Sequence, residues 1–142
     1  MYLDTAILVK LLVREPDSAF YVRLVDRQLV WSSQIAVTEC FSALLRKERE
    51  RAISAAHRRA AWRQIESDVT DGRLALVPVT ASVLERANTM LERVHGIVAL
   101  RSLDAIHLAS AEHCGSWPLC SNDARLRAAA TLLAMPLTPL PP

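Results

Sequence analysis

Apolar and polar positions alternate between two rhythms along this chain of 142 residues. Short apolar runs at Met1–Leu3, Leu29–Trp31, Leu74–Val79 and Trp117–Cys120 have strand length, and Met135–Leu140 adds a last run limited by prolines. Between them the apolar positions recur at helical spacing. Ile7, Leu8, Leu11 and Leu12 form one stripe in a helix over Thr5–Val13, which Pro16 closes. Asp17 is placed to cap a second helix, with Phe20, Leu24 and Val25 on its inner side. Ser32 and Ser33 then read as helix-start residues for a long helix from Gln34 to Glu50, whose core face is Val37, Cys40, Phe41, Leu44 and Leu45. A helix over Ile53–Val69 follows, and Asp71-Gly72 makes a turn. Thr80 or Ser82 starts a helix carrying Val83, Leu84, Ala87, Met90 and Leu91. Asp104 opens Ala105–His113, which Gly115 ends, and Asp123 opens a helix to about Leu133. Strands alternating with helices predict an α/β fold with helices on both faces of a parallel sheet.

The length suits one domain, taken here as residues 1–142 with 139–142 as a flexible tail. Only 3 glycines occur, so no Gly-rich phosphate loop is present and the common nucleotide-binding fingerprints are excluded. Cys40, Cys114 and Cys120 lie in apolar runs without CxxC spacing and read as core thiols in a reducing compartment. No signal peptide or membrane-length apolar run is visible, and the expected location is the cytoplasm. A net charge of +2 does not itself imply nucleic acid. Seven basic residues between Arg46 and Arg63 face only Glu48 and Glu50. That stretch is either a track for a phosphate backbone or a solvated helix face.

Candidate chemistry comes from four acids: Asp4, Glu39, Asp104 and Asp123. Each lies where an apolar run gives way to a helix, or within that helix's first turns, with the three aspartates read as following strand ends. Parallel strands bring such positions to one edge of the sheet. Individually Asp104 and Asp123 are also good helix caps, and Glu39 alone fits a helix surface. Asp4, closing the first strand, is least explained by capping or solvation and needs a partner. Carboxylates gathered at one edge repel one another unless a hard cation is present, and an oxygen-only set favours Mg²⁺ or Mn²⁺, as one or two ions.

Leu3-Asp4-Thr5, the serine-led segment ending at Glu39, the run Leu100 to Ala109 around Asp104, and Ser121-Asn122-Asp123-Ala124-Arg125-Leu126 together resemble the PIN-domain family. More narrowly they are similar to the VapC-type toxins of type II toxin–antitoxin pairs. The resemblance spans essentially the whole chain. It implies a three-layer α/β/α fold around a parallel sheet of four to five strands, a metal-dependent endoribonuclease site, an RNA substrate, a small inhibitory antitoxin and a homodimer. Asp4, Glu39, Asp104 and Asp123 match the family's acidic quartet, and Thr5 and Ser121 match hydroxyl positions beside it. Arg101 and Arg125 are candidates for phosphate contact or for ion pairs with the acids. Arg46 and Arg49 are candidates for antitoxin binding, on the helices from Gln34 to Val69. His107 reads as a side chain packed on its own helix, and Trp31, Trp62 and Trp117 as core or interface anchors. The rival reading is a PIN-like adaptor without nuclease activity. A phosphatase of the haloacid dehalogenase type fails because Ala6 stands where a second aspartate is needed. A receiver domain fails for want of an early acidic pair.

Overall fold

Tyr2 and Leu3 make up strand β1, and neither side chain reaches solvent, as a strand covered on both faces requires. They belong to a computed structural model that describes residues 1–142. The elements that follow are α1 (Thr5–Leu12), α2 (Ser18–Val25), β2 (Val30–Ser33), α3 (Ile35–Arg49), α4 (Ala55–Thr70), β3 (Leu74–Val77), α5 (Ala81–Val94), α6 (Ser102–Cys114), β4 (Leu119–Cys120) and α7 (Ala124–Leu132). The sheet has four strands in the order β3-β2-β1-β4, and all its pairings are parallel.

The strand pleat sorts side chains into two cores. Tyr2 and its register partners Leu119 and Trp31 face one way and pack with Val83 and Met90 of α5, Leu108 of α6 and Leu126 of α7. Leu3 and its partner Cys120 face the other way, against Ile7 of α1, Tyr21 of α2, Cys40 of α3 and Ile65 of α4. A single parallel sheet with helices on each face is the three-layer α/β/α arrangement that was expected. A smaller cluster of Val13, Leu44, Ile53 and Ala61 fastens α3 to α4. No helix is long and apolar enough to cross a membrane.

Several local expectations change. Ser32 and Ser33 continue β2 instead of starting a helix. Ser32 is buried, donates its hydroxyl to the Leu3 carbonyl at 2.8 Å, and so satisfies in the core the group that favours a cap elsewhere. Asp17 precedes α2 without capping it, because its carboxylate is drawn to Lys10 at 2.7 Å. The buried stripe of α3 keeps Cys40 and Leu44 from the expected face but is turned toward Ala36. Phe41 instead faces outward and meets Trp62 of α4 edge-on, with ring centroids 4.7 Å apart. On α5 the core positions are Val83, Ala87, Met90 and Val94, while Leu84 is exposed. The run at Met135–Leu140 pairs only as one bridge, Leu119 to Leu137, since Pro136 and Pro139 lack the N–H groups a strand needs. Cys40 and Cys120 are buried free thiols, with burial pushing them up to about 12 and about 11, so neither is a ready nucleophile.

Candidate functional site

Because every strand of the sheet runs the same way, residues just past β1 and β4 emerge together. Asp4 leaves β1 and caps α1, its Oδ1 accepting from the Ile7 N–H at 2.9 Å. It is only 4% exposed. That burial pushes the Asp4 carboxyl above its ordinary value, and the charge of Asp123 adds to the effect. The Ser121 hydroxyl, the Ile7 N–H and His107 act in the opposite sense. Asp123 follows β4 and caps α7, with Oδ1 accepting from the N–H groups of Arg125 at 2.8 Å and Leu126 at 3.0 Å. Ser121, itself buried, accepts from the Asp123 N–H at 3.0 Å.

Asp104 arrives by a different route. No strand precedes it. The chain passes from α5 through a loop into α6, which begins at Ser102, so Asp104 lies inside the first turn and does not cap the helix from outside. Its Oδ2 accepts from the Arg101 N–H at 3.3 Å. Burial raises its pKa, and Asp123 raises it further. The three aspartates therefore share one field, in which Asp123 disfavours the charged forms of the other two.

Glu39 stands on α3 at the side of this field. Its Oε2 accepts from the Thr5 hydroxyl at 2.6 Å and lies 2.7 Å from Nε2 of His107. Burial alone would raise the Glu39 carboxyl, but the hydrogen bonds from His107 and Thr5 outweigh it and hold the group below its ordinary value. His107 is thus not merely packed on its own helix, as the sequence suggested. It is buried between α6, α3 and β1, with Nδ1 2.9 Å from the Tyr2 hydroxyl. Its position three residues after Asp104, on the same helix face, was the available sign that it belongs with the acids.

A cleft of about 870 Å³ exposes this arrangement, lined by Asp4, Thr5, Glu39, Asp104, His107 and Asp123 among others. Arg46, Lys47, Arg49 and Arg101 line it as well, so an acidic floor meets a basic rim. The side chain of Arg125 is not among the lining groups; Arg125 serves Asp123 through its backbone N–H. Trp31 and Trp117 pack against the core that contains Tyr2, and Trp62 against the opposite one, all as anchors. A separate apolar groove of about 580 Å³ beside α1, α2 and α4 includes none of the four acids.

No three of the acidic, histidine or cysteine side chains close up tightly enough to cage an ion unaided. The donor set nevertheless fits a hard divalent cation that keeps part of its water. Glu39, Asp104 and Asp123 each have one carboxylate oxygen fastened by hydrogen bonds and the other without a protein partner. All the candidate ligand atoms are oxygens, and Asp4 is a buried carboxylate whose charge has no cationic side chain paired with it.

Similarity to known proteins follows the same geometry. The model of the PIN domain matches residues 1–132. Ribonuclease VapC46 of Mycobacterium tuberculosis (strain ATCC 25618 / H37Rv) is 39% identical over 138 residues, covering 95% of this chain and 93% of that protein. Among solved structures, M. tuberculosis VapC20, described as a sarcin-ricin-loop-cleaving toxin, superposes with a TM-score of 0.70 at 21% identity, covering 90% of this chain and 93% of its own. VapBC2 of Rickettsia felis, solved on a DNA fragment from its promoter, gives a TM-score of 0.65 at 14% identity, with 96% of both chains covered. A parallel sheet that brings aspartates from the ends of β1 and β4 beside Asp104 of α6 and Glu39 of α3, and a sequence matched over nearly its full length, have one common explanation: the chain belongs to the PIN-domain family, in the company of the VapC ribonucleases.

Proposed function

We propose that the protein is the toxin of a toxin–antitoxin pair, an endoribonuclease that hydrolyses RNA phosphodiester bonds with Mg²⁺ or Mn²⁺ held at the acidic cleft. The observation that carries this reading is the half-fastened state of the carboxylates. Each is oriented by helix or side-chain donors, yet three of them keep an oxygen free of any protein partner. Asp4, Glu39, Asp104 and Asp123 are the residues that would hold one or two ions, directly or through water.

When bound there, a divalent cation supplies Lewis acidity toward a phosphodiester and toward water. The chain's own residues do the rest. The Ile7 N–H and Ser121 fix Asp4, and Thr5 and His107 fix Glu39. Arg46, Arg49 and Arg101 at the rim give positive charge along which a sugar-phosphate strand can run. In the hydrolysis, water oxygen bonds to phosphorus and the bond from phosphorus to the 3′ oxygen breaks, leaving a 5′-phosphate and a 3′-hydroxyl. The relatives named VapC46 and VapC20 are a ribonuclease and an RNA-loop-cleaving toxin, which supports the reaction class. The VapBC2 relative supports a small antitoxin as partner. A homodimer and a cytoplasmic location are part of the same reading.

The test is cleavage of an RNA pool by purified protein in Mg²⁺ or Mn²⁺, with 5′ ends mapped. Asp4→Asn and Asp104→Asn are expected to lose about 100-fold or more in rate, since even groups that only support a metal ligand are worth 10–100-fold. Variants that cut as fast as wild type would overturn the assignment and favour an adaptor role.

A further inference from the structure

We propose that Tyr2 and His107 form a positioning device for Glu39, fixing which of its oxygens faces the cleft. The inference rests on the reading of Glu39 as a site carboxylate. It concerns a pair of residues that touch neither the cleft's other acids nor any ligand through hydrogen bonds of their own.

Three hydrogen bonds define the device. The Tyr2 hydroxyl lies 2.9 Å from Nδ1 of His107, and Nε2 of His107 lies 2.7 Å from Oε2 of Glu39. The Thr5 hydroxyl donates to the same Oε2 at 2.6 Å and stands 3.1 Å from Nε2. The direction of these bonds follows from chemistry. A carboxylate oxygen only accepts, so Nε2 carries the proton that faces it; a bare Nε2 there would set two lone pairs against each other. The Tyr2 hydroxyl, fully buried, meets Nδ1 and holds the far edge of the ring. Tyr2 thereby fixes the plane of the ring, with Nε2–H turned to Glu39.

The consequence falls on Glu39. Two donors occupy Oε2, while Oε1 has no protein partner and is left for the cleft. A glutamate has three side-chain torsions, and here their freedom is removed on folding, before any ligand arrives. The three participants come from β1, α6 and α3, so the device also sets the distance between α3 and α6. Helix α6 then serves two acids, Asp104 in its first turn and Glu39 through His107 one turn later. A histidine serving only the core would need no carboxylate as its partner, and His107 is 3% exposed with a half-buried glutamate on one nitrogen.

The experiment compares wild type with Tyr2→Phe, His107→Gln, His107→Leu and Glu39→Gln. Three readouts are taken on the whole protein: calorimetric affinity for Mn²⁺ alone, RNA cleavage rate, and ¹⁵N spectra of the imidazole. Thermal melts establish that each variant is folded. Wild type is expected to carry a proton on Nε2, and Tyr2→Phe to bind Mn²⁺ severalfold more weakly than wild type. His107→Leu is expected to weaken Mn²⁺ by about 10–100-fold, the usual cost of losing a group that orients a metal ligand. His107→Gln, whose amide N–H can stand where Nε2–H stood, should recover most of that loss. The proposal is overturned by an Nδ1–H tautomer in wild type. It is equally overturned if Gln and Leu prove alike, or if folded Tyr2→Phe and His107→Leu bind Mn²⁺ within twofold of wild type. Glu39→Gln separates the two levels: full Mn²⁺ affinity and full cleavage in that variant defeat the reading of Glu39 itself, and this proposal with it.

Discussion

Asp4→Asn should abolish cleavage and yet make the metal-free protein more stable. Asp4 is 4% exposed, and its carboxyl is pushed up chiefly by burial, with the charge of Asp123 in the same sense. A folded-state pKa above the unfolded one means that ionisation is disfavoured by folding. The cost is absent at low pH, where the group is protonated in both states. It grows as pH rises through the folded value and is complete above it. Asparagine removes the charge while keeping the oxygen that accepts from the Ile7 N–H, and it caps helices about as well as aspartate. Removing a desolvated charge is worth several kcal/mol before compensation, and losing its favourable interactions with Ser121, the Ile7 N–H, His107 and the α1 N-terminus gives back most of that, so a net gain of about 1–2 kcal/mol is expected at pH 7. For a chain of this size that corresponds to a rise of about 3–8 °C in melting temperature. Glu39→Gln should do the reverse. Its carboxyl is held below the ordinary value, so its contribution is present above the unfolded pKa and is lost as pH falls through the folded one. The assay is thermal melting in chelator at pH 7 and at pH 5, repeated with Mn²⁺. Mn²⁺ at about 100 times its dissociation constant adds about 2.7 kcal/mol to wild type alone, which reverses the order. An Asp4→Asn protein that melts below wild type in chelator at pH 7 would refute the reasoning.

Two further outcomes are expected. Arg46→Glu combined with Arg49→Glu, at the rim of the cleft, should weaken capture of the small antitoxin in co-purification and neutralisation assays; unchanged complex formation would place the antitoxin elsewhere. Leu44→Ala should cost about 2–5 kcal/mol in denaturant unfolding, because Leu44 is fully buried among Val13, Ile53 and Ala61 and its loss leaves a cavity between α3 and α4.

Much of this arrangement was legible in the chain itself, and the exceptions have physical causes. Apolar runs and helical stripes announced a parallel α/β sheet because both signals are local. Asp4 and Asp123 were placed correctly as the residues that open helices just past β1 and β4, since a cap is also a local decision. The face of α3 was legible only in part: Cys40 and Leu44 were expected in the core, Ala36 was not, and Phe41 was misplaced there. Ala36 and Cys40 lie innermost because small side chains let the helix approach its neighbours, while Phe41 finds Trp62 on α4, a contact 21 positions away that no single stripe reveals. Ser32 misled because a hydroxyl that favours a helix start is equally satisfied by a carbonyl of the neighbouring strand. His107 was undervalued for the same reason: its partners Tyr2 and Glu39 are 105 and 68 positions distant, and a lone histidine on an apolar helix carries no trace of them.

Capping and metal binding are often weighed as rival explanations for an aspartate at a helix start, but the geometry here makes them complementary. A cap needs one acceptor oxygen, and serine, asparagine or threonine supplies it without a buried charge. This chain uses Ser54 and Thr80 in that way at α4 and α5, each accepting from the N–H three residues on. At α1 and α7, which open toward the cleft, it uses aspartate instead, and it adds Asp104 in the first turn of α6. Burial and the charge of Asp123 raise the cost of ionising Asp4 and Asp104, a burden on the fold that capping alone does not justify. The substitution of aspartate for a neutral cap occurs where strands β1 and β4 end and the basic rim begins, which is where a cation between carboxylates and phosphate would offset that burden.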